Sequence, residues 1–405
     1  MSLLKTLAAI AAALALAIAV IGQQFDWQVL MVKYGVKLLD APDVESGPVT
    51  AEQAGSDGSV RYQLQVIADG LELPWSVTRL DDGQALVTER VGRLQLLQLE
   101  NGEYVEIDGV PEVHYAGQGG LFDVALHPSF ANNKQVYLTY AVATGQGKST
   151  TRLARAKLNV DERRLEQLEV LYTAQPAVKN GRHYGGRLLF HNDLLYMTVG
   201  ERGNPDKAQQ TDNDLGAVLR LNDDGSAAAG NPFGAVNPAL FSYGHRNPQG
   251  LVQRPGTDEL WVSEHGPQGG DEVNLLVAGA NYGWPVITYG EQYGGGKIGE
   301  GTHKDGMTQP HHYYVPSIGV GNLAFYSGGS FPDWEGDLFV TGLRSLDLSQ
   351  LSVNSSGEQL ALGNDRRLLG DQQMRLRDIK VWPTGDIYLL SENGSVEVLS
   401  PDTNH

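Results

Sequence analysis

Short apolar and polar runs alternate from Val60 onward, and one arrangement of these runs repeats along the chain. In each repeat, two β-rich apolar runs flank turn residues such as Gly, Asp, Asn or Pro, which is the pattern of a β-hairpin. Six repeats begin near residues 77, 124, 188, 251, 323 and 379, so their spacing averages about sixty residues. Such a period in an all-β chain is typical of propeller blades of about four strands. The pattern predicts an all-β, six-bladed β-propeller over residues 60–405; a large β-sandwich or two barrels is the alternative.

The N-terminus follows a different pattern. Lys5 precedes an uncharged apolar run over residues 6–22, as in a Sec-type export signal. At about seventeen residues the run is also at the lower limit for spanning a bilayer. We expect residues 1–22 to be a helical signal peptide or a membrane anchor, and residues 23–59 to be a linker with room for a short amphipathic helix. A signal peptide and an anchor both predict a periplasmic or extracytoplasmic protein. If the apolar segment is not cleaved, it would anchor the protein to the inner membrane.

Composition excludes several classes of function. The chain has 405 residues, 50 glycines, a formal net charge of −18 and no cysteine. This negative charge makes nucleic acid or anionic lipid an unfavourable partner, because either would be repelled. Thiolate catalysis and cysteine-based zinc sites are excluded. Clustered arginines are therefore local exceptions in a negative field.

Two polar loops flank the fourth hairpin, one over residues 244–250 and one over residues 263–272. Polar loops on a rigid β scaffold are a common place for binding and chemistry. The second loop carries three carboxylates, Glu264, Asp271 and Glu272. Their hard oxygens, together with backbone carbonyls, suit Ca²⁺ better than zinc or copper. Turn hydrogen bonds made by these carboxylates are the alternative.

Single polar residues recur near the other hairpins. Gln118 lies between glycines before the second hairpin, where the backbone can approach a ligand closely. His183 precedes the third hairpin and is a candidate general base near neutral pH. A histidine on a surface loop is the alternative for His183.

Arginines come from three of the predicted blades. Arg246 belongs to the fourth, Arg344 to the fifth, and Arg375 and Arg377 to the sixth. The last two are spaced so that a strand would point them to one face. Two arginines on one face repel each other unless an anion lies between them. The set predicts a pocket for a polyanionic small molecule, with solvated arginines on an outer strand as the alternative.

With these motifs the sequence resembles the soluble pyrroloquinoline quinone (PQQ) dependent sugar dehydrogenases, a glucose/sorbosone dehydrogenase-like family of six-bladed propellers. It is most similar to their aldose sugar dehydrogenase branch, from about Leu73 to Leu399. The resemblance is carried by these segments: Leu73-Pro74-Trp75-Ser76, Gly117-Gln118-Gly119-Gly120-Leu121, His183 with Gly185-Gly186-Arg187, Gly244-His245-Arg246-Asn247-Pro248-Gln249-Gly250, Glu264-His265-Gly266-Pro267, Asp271-Glu272, Asn281-Tyr282-Gly283-Trp284-Pro285 and Arg375-Leu376-Arg377-Asp378.

The resemblance implies an enzyme that uses PQQ and Ca²⁺ to oxidise aldose sugars at C1 to lactones. It makes His183 the base that takes the proton of the anomeric hydroxyl while hydride passes to PQQ, with Gln118 orienting substrate and base. It makes Arg246 the group that stabilises charge on the quinone oxygen. The residues it implies for cofactor binding are Gln118, Arg246, Asn247, His265, Arg344, Arg375 and Arg377. The residues it implies for calcium are the carbonyls of Gly266 and Pro267 at the quinone, and Glu272 with the Tyr282 carbonyl at a second, structural ion.

Three positions depart from the family pattern. Arg182 stands where the glucose-oxidising branch has an acidic residue beside the histidine, His265 replaces a glutamine and Arg344 replaces a lysine. The tuning of His183 must then come from elsewhere in the chain, and the sugar is not fixed. Electrons would leave for an external acceptor such as a quinone or a cytochrome. A Ca²⁺-dependent lactonase and a non-catalytic propeller that binds glycans or proteins are the alternative functions.

Overall fold

The computed structural model describes residues 49–55, 58–356 and 359–402. The described residues 49–55, 58–115, 119–356 and 359–402 belong to one compact unit. The predicted signal or anchor, and most of the predicted linker, lie outside the described residues. None of the helices described is long and apolar enough to cross a membrane.

Over the described residues the chain forms six antiparallel sheets, which confirms the predicted all-β, six-bladed propeller. The first two strands are β1 (Val49–Gly55) and β2 (Gly58–Ala68). Blade 1 contains β3 (Pro74–Arg79), β4 (Gln84–Glu89), β5 (Arg93–Gln98) and β6 (Tyr104–Glu106). Blade 2 contains β7 (Leu121–Leu126), β8 (Gln135–Gly145), β9 (Lys148–Asn159) and β10 (Arg164–Thr173). Blade 3 contains β11 (Gly185–His191), β12 (Leu194–Val199), β13 (Ala217–Leu221) and β14 (Leu240–Tyr243).

The remaining blades follow the same plan. Blade 4 contains β15 (Pro248–Gln253), β16 (Leu260–Glu264), β17 (Asp271–Leu275) and β18 (His312–Tyr314). Blade 5 contains β19 (Val320–Phe325), β20 (Leu338–Gly342), β21 (Leu348–Ser356) and β22 (Gln359–Leu368). Blade 6 contains β23 (Leu376–Val381), β24 (Ile387–Ser391) and β25 (Ser395–Pro401). The helical turns described are α1 (Phe130–Asn133) and two 3₁₀ turns, Pro205–Gln209 and Pro332–Trp334.

Strands from both ends of the chain close the propeller. β2 pairs with β25, so that the sheet of blade 6 runs in the order β1-β2-β25-β24-β23. The register places Leu64 opposite Leu399, and both side chains are buried in the core between blades 5 and 6. Closure by two distant segments makes the fold dependent on long-range pairing.

Neighbouring blades are joined by a repeated hydrogen bond. In every blade the first strand has a register shift near its start, where it pairs with the second strand; β-bulges of this kind re-aim the chain. A buried hydroxyl on the second strand then donates to a carbonyl on the first strand of the next blade. The pairs are Thr88 with Phe122, Thr139 with Gly186, Thr198 with Pro248, Ser263 with Gly321 and Thr341 with Arg377. These bonds fix the first strands, which carry the candidate site residues at their starts.

A fully buried arginine ties several blades together at the centre. Arg187 has no solvent exposure, and its Nη1 lies 3.2 Å from Asp378 Oδ1 and 3.4 Å from Asp123 Oδ1. Its guanidinium stacks 4.2 Å from the ring centre of Trp75. Burial alone would raise the pKa of Asp378, but Arg187 and other partners outweigh it and lower that pKa. Because a buried charge is stable only when paired, this group is structural.

One edge of the propeller gathers the starts of the first strands and the ends of the second strands; we call it the upper rim. In several blades the residue after the second strand donates its N–H to the carbonyl of the residue before the first strand. These bonds are Arg90 to Leu73 (3.0 Å), His265 to Asn247 (3.2 Å), Leu343 to Gly319 (2.9 Å) and Glu392 to Arg375 (2.9 Å). Arg90, His265 and Glu392 therefore occupy equivalent positions in three blades.

Candidate active site

A buried histidine and a buried carboxylate meet at the upper rim. His183 precedes β11, and Glu201 follows β12 with only Gly200 between; His183 and Glu201 are 7% and 2% exposed. His183 Nδ1 lies 2.9 Å from Glu201 Oε1. Gly200 makes this approach possible, since a Cβ there would lie 2.1 Å from the His183 carbonyl oxygen. The structure therefore places His183 in a buried pair rather than on a surface loop.

The pKa values of His183 and Glu201 are both set by opposing influences from their surroundings. Burial, and next the charge of Arg246, lower the pKa of His183 to about 4, although Glu201 acts to raise it. Burial would raise the pKa of Glu201, but the charge and hydrogen bond of His183, together with Arg246, lower it. At neutral pH the imidazole is neutral and the carboxylate is charged, which is the state required of a general base and the group that orients it.

Arg246 is held from three sides. Its backbone N–H donates to Glu264 Oε2 (2.7 Å), and its Nη1 donates to the His265 carbonyl (3.1 Å). Its guanidinium lies 5.3 Å from the ring centre of Trp284. Its own carbonyl accepts the N–H of Glu201 at 2.9 Å. A backbone hydrogen bond therefore links Arg246 directly to Glu201, the partner of His183.

Arg375 and Arg377 do lie on the same side, and an anion does lie between them. That anion is a residue of the chain itself, Glu392. Its Oε2 lies 3.0 Å from Arg375 Nη2, and its Oε1 accepts a 2.8 Å bond from Arg377 Nε. Burial would raise the pKa of Glu392, but Arg377, Arg375 and Arg90 outweigh it and lower it to about 2. The requirement for an anion between the two arginines is therefore met in part before any ligand is considered.

Gln249 connects the arginines of blade 6 to blade 4. Its Oε1 accepts a bond from Arg377 Nη1 and lies 3.1 Å from Nε2 of His265. Burial, and then the charges of Arg377 and Arg246, hold the pKa of His265 well below its ordinary value. Because the imidazole is neutral and Oε1 is an acceptor, Nε2 carries the proton in this contact.

The chemistry of these side chains fits an anionic ligand. The Nε atoms of Arg246 and Arg375 are buried and have no hydrogen-bond partner within the part of the chain that the structure describes. An unpaired buried N–H is costly, and a carboxylate oxygen would satisfy it with a charge-assisted bond. The donor set therefore suits a small molecule with several carboxylates, such as PQQ.

Most of the candidate calcium residues line one small cavity beside Arg246, namely Glu264, Gly266, Glu272 and Tyr282. Pro267 and Asp271 are not among its lining residues. Burial and the neighbouring Glu264 raise the pKa of Glu272 to about 8. A hard cation bound between Glu264 and Glu272 would offset the repulsion between the two buried carboxylates. These donors therefore suit Ca²⁺. No group of three or more Asp, Glu or His side chains poised to hold a metal occurs among the described residues.

Two of the loop carboxylates make the turn hydrogen bonds left open as the alternative. Asp271 accepts the N–H groups of Gly266, Gly319 and Val320. Glu264 is 2.8 Å from His245 Nδ1 and accepts the Arg246 N–H. They hold the loops in place, and only Glu264 also lines the cavity.

Three other predicted residues have different surroundings. Asn247 Oδ1 accepts the N–H of Gly185 at 3.1 Å, so this side chain supports the His183 loop. Arg344 follows β20 with an exposed side chain. Gln118 lies shortly before β7, and its role stays a prediction.

Sequence reasoning missed Glu201, Gln249 and Glu392. Glu201 and Glu392 stand just after the second apolar run of their hairpins, and Gln249 belongs to the loop that contains Arg246. Position at the end of a second strand was the available signal, because the same position holds His265 in blade 4.

The fold and site define a six-bladed propeller with a cluster of arginines, a buried histidine and a carboxylate-lined cavity at one rim. The sequence model of the glucose/sorbosone dehydrogenase family matches residues 71–400. The chain is 37% identical over 343 residues to the aldose sugar dehydrogenase YliI of Escherichia coli (strain K12), across 83% of this chain and 91% of that protein. This chain belongs to the glucose/sorbosone dehydrogenase family.

Two solved structures agree with this assignment. The soluble aldose sugar dehydrogenase (Asd) of Escherichia coli in its apo form superposes with a TM-score of 0.80 at 35% identity, covering 84% of this chain and 100% of that one. The PQQ-bound aldose sugar dehydrogenase (Adh) of Streptomyces coelicolor superposes with a TM-score of 0.70 at 26% identity, covering 88% and 99%.

Proposed function

We propose that this protein is a PQQ- and Ca²⁺-dependent dehydrogenase that oxidises aldose sugars at C1 to lactones. Electrons would pass to an external acceptor, a quinone or a cytochrome, and the apolar N-terminal run supports a periplasmic or extracytoplasmic location. The observation that carries the proposal is the meeting at one rim of a buried histidine–carboxylate pair with buried guanidinium groups. Family membership supports the same reaction.

The cofactor would be held mainly by guanidinium groups. Arg375 and Arg377, fixed by Glu392, are suited to the carboxylates of PQQ, since planar forks match carboxylate geometry. Asn247, His265, Arg344 and Gln118 are the further residues we expect around it. When bound, PQQ supplies a hydride acceptor for C1 of the sugar.

His183 would act as the general base. Contact of Nδ1 with the Glu201 carboxylate at 2.9 Å favours the tautomer with its proton on Nδ1. Nε2 is then the basic nitrogen, which would take the proton of the anomeric hydroxyl. Glu201 would stabilise the imidazolium that forms, as an orienting carboxylate does in other base–carboxylate pairs.

Arg246 would supply electrostatic stabilisation. Its guanidinium is fixed by the His265 carbonyl and Trp284, so it needs little reorganisation when negative charge develops nearby. Preorganised donors of this kind are often the largest contribution to catalysis.

Calcium would be bound at the cavity beside Arg246. We expect Glu272 and the Tyr282 carbonyl to hold one ion, and the carbonyls of Gly266 and Pro267 to face the ion at the quinone. Ca²⁺ bound by the carbonyls of Gly266 and Pro267 would supply Lewis-acid polarisation of the quinone.

A single substitution tests the assignment of the base. His183→Ala should bind PQQ with nearly unchanged affinity and lose turnover of any aldose by about a hundredfold or more, since general bases contribute on that scale. His303→Ala, at an exposed histidine, is the matched control. PQQ titration followed by a dye-linked assay measures both quantities, and turnover within a few-fold of the unaltered protein would reject His183 as the base.

A further inference from the structure

Arg90 reaches the upper rim from blade 1, a blade to which no ligand contact has so far been assigned. It directly follows β4, and its N–H donates to the Leu73 carbonyl just before β3. This is the position that His265 holds in blade 4 and Glu392 holds in blade 6. Blade 1 also adjoins blade 6, since the Val77 N–H donates to Asp378. Arg90 therefore enters the rim beside the Arg375–Arg377–Glu392 group.

The aliphatic part of the Arg90 side chain is fixed by packing, and its guanidinium lies beside an aromatic ring. A Cβ on Gly120 would lie 2.0 Å from the Arg90 carbonyl oxygen and 2.6 Å from its Cγ, so the glycine gives the stem its space. The guanidinium lies 5.8 Å from the ring centre of Tyr115, a residue that is 44% exposed. The stem is thus fixed by packing next to a side chain that borders solvent.

The Arg90 guanidinium also has an unsatisfied donor. Its Nε is buried without a hydrogen-bond partner among residues of the described ranges, as is the Nε of Arg375. Its field reaches the blade 6 group, where it helps to lower the pKa values of Glu392 and Arg377. Around the single carboxylate of Glu392 there are therefore three guanidinium groups, Arg90, Arg375 and Arg377, which leaves a net positive charge to be balanced.

We propose that Arg90 binds a carboxylate of the ligand at the upper rim. Guanidinium groups pair with carboxylates through two parallel N–H bonds, and the unpaired Nε provides one of them. The carboxylate has two sources, the PQQ cofactor or an acidic aldose such as a uronic acid. The inference rests on the proposed function and adds blade 1 to the ligand-binding residues.

The experiment uses the full-length protein and the variants Arg90→Gln and Arg90→Lys. Arg164→Gln removes a charge from an exposed site on β10 and is the matched control. PQQ binding is titrated by quenching of tryptophan fluorescence without sugar. The kcat/KM values for glucose and glucuronic acid are then measured at saturating PQQ. Thermal melting checks that each variant is folded.

If the cofactor supplies the carboxylate, Arg90→Gln should raise the Kd for PQQ about tenfold or more, the scale expected for one charge-assisted bond, and Arg90→Lys should recover part of it. If the sugar supplies it, the Kd should hold while the kcat/KM ratio of glucuronic acid to glucose falls about tenfold. Changes within twofold in both measurements would overturn the inference alone. Failure of the unaltered protein to bind PQQ would overturn the proposed function with it.

Discussion

Nδ1 of His183 lies 2.9 Å from Oε1 of Glu201, and both side chains are buried at the upper rim of blade 3. The residue just before His183 is Arg182, so the orienting carboxylate comes instead from eighteen positions further along the chain. The hairpin of β11 and β12 brings the two together because it returns the chain to its starting edge. Glu201 provides the carboxylate that the sequence neighbours of His183 lack, and it opposes the lowering of the His183 pKa by burial and by Arg246.

Glu201→Gln should weaken the base and shift its titration. Glu201 raises the pKa of His183 towards its ordinary value, so its removal should lower that pKa further and move the acid limb of kcat/KM to lower pH. The plateau should fall about ten- to a hundredfold because the imidazole is less basic and less well oriented. A pH–rate profile measures both effects, with the exposed Glu162→Gln as control. An unmoved acid limb with an unchanged plateau would show that the contact plays no part in catalysis.

Arg375→Ala combined with Arg377→Ala should weaken PQQ binding by about a hundredfold or more. Each substitution removes charge-assisted bonds, worth about 1.5–3 kcal/mol apiece. Equilibrium titration at two salt concentrations measures the loss, and the salt dependence should also decrease. An unchanged titration curve would place the cofactor away from blade 6.

Glu392→Gln should make the protein less stable at neutral pH and less sensitive to acid. The folded-state pKa of Glu392 is about 2, below its ordinary value, so its ionisation stabilises the fold above about pH 4.5. That stabilisation is lost as pH falls towards 2 and amounts to about 3 kcal/mol. Urea unfolding at pH 7 and pH 3 should give a difference from the unaltered protein that narrows in acid. A constant difference at both pH values would contradict this account, and Glu100→Gln serves as the exposed control.

Thr198→Val should destabilise the propeller without changing any ligand contact. Thr198 Oγ1 accepts the Arg187 N–H and donates to the Pro248 carbonyl, both at 2.9 Å. Leaving these buried groups unsatisfied costs about 1–3 kcal/mol. Denaturant unfolding measures the change against Thr144→Val, an exposed threonine. Equal stability of the two variants would argue against the repeated hydroxyl–carbonyl hydrogen bond as a link between blades.

Calcium should stabilise the protein through Glu272. At a hundredfold excess over its Kd, a ligand that binds only the folded state adds about 2.7 kcal/mol. Melting with Ca²⁺ and with EDTA should therefore differ for the unaltered protein, and the difference should be much reduced in Glu272→Gln. The exposed Glu291→Gln should behave like the unaltered protein. Equal melting temperatures with Ca²⁺ and EDTA would remove the ion from the proposal.

The fold could be predicted from the sequence because each first hairpin of a blade is local. All six predicted hairpins match the first two strands of a blade, for example β11 and β12 around Asn192 and Asp193. Closure by β2 against β25 could not be predicted, since no local pattern specifies a partner more than three hundred residues away.

Sequence identifies a site residue only where an unusual residue type stands at the start of a predicted strand. His183, Arg246, Arg375 and Arg377 stand out as base and cations at the starts of predicted strands. Glu201 and Glu392 are ordinary carboxylates in an acidic chain, and only the register of β12 and β24 gives them their positions. The pairing of Arg377 with Glu392 depends on tertiary geometry for the same reason.

We propose that the upper rim holds PQQ and that hydride passes there from an aldose to the cofactor. The most direct measurement is the absorption spectrum of the protein after PQQ and Ca²⁺ are added, recorded before and after a panel of aldoses without any dye. We expect stoichiometric PQQ binding and a spectral change on sugar addition that His183→Ala does not show. Bound PQQ whose spectrum stays the same with every aldose would contradict it.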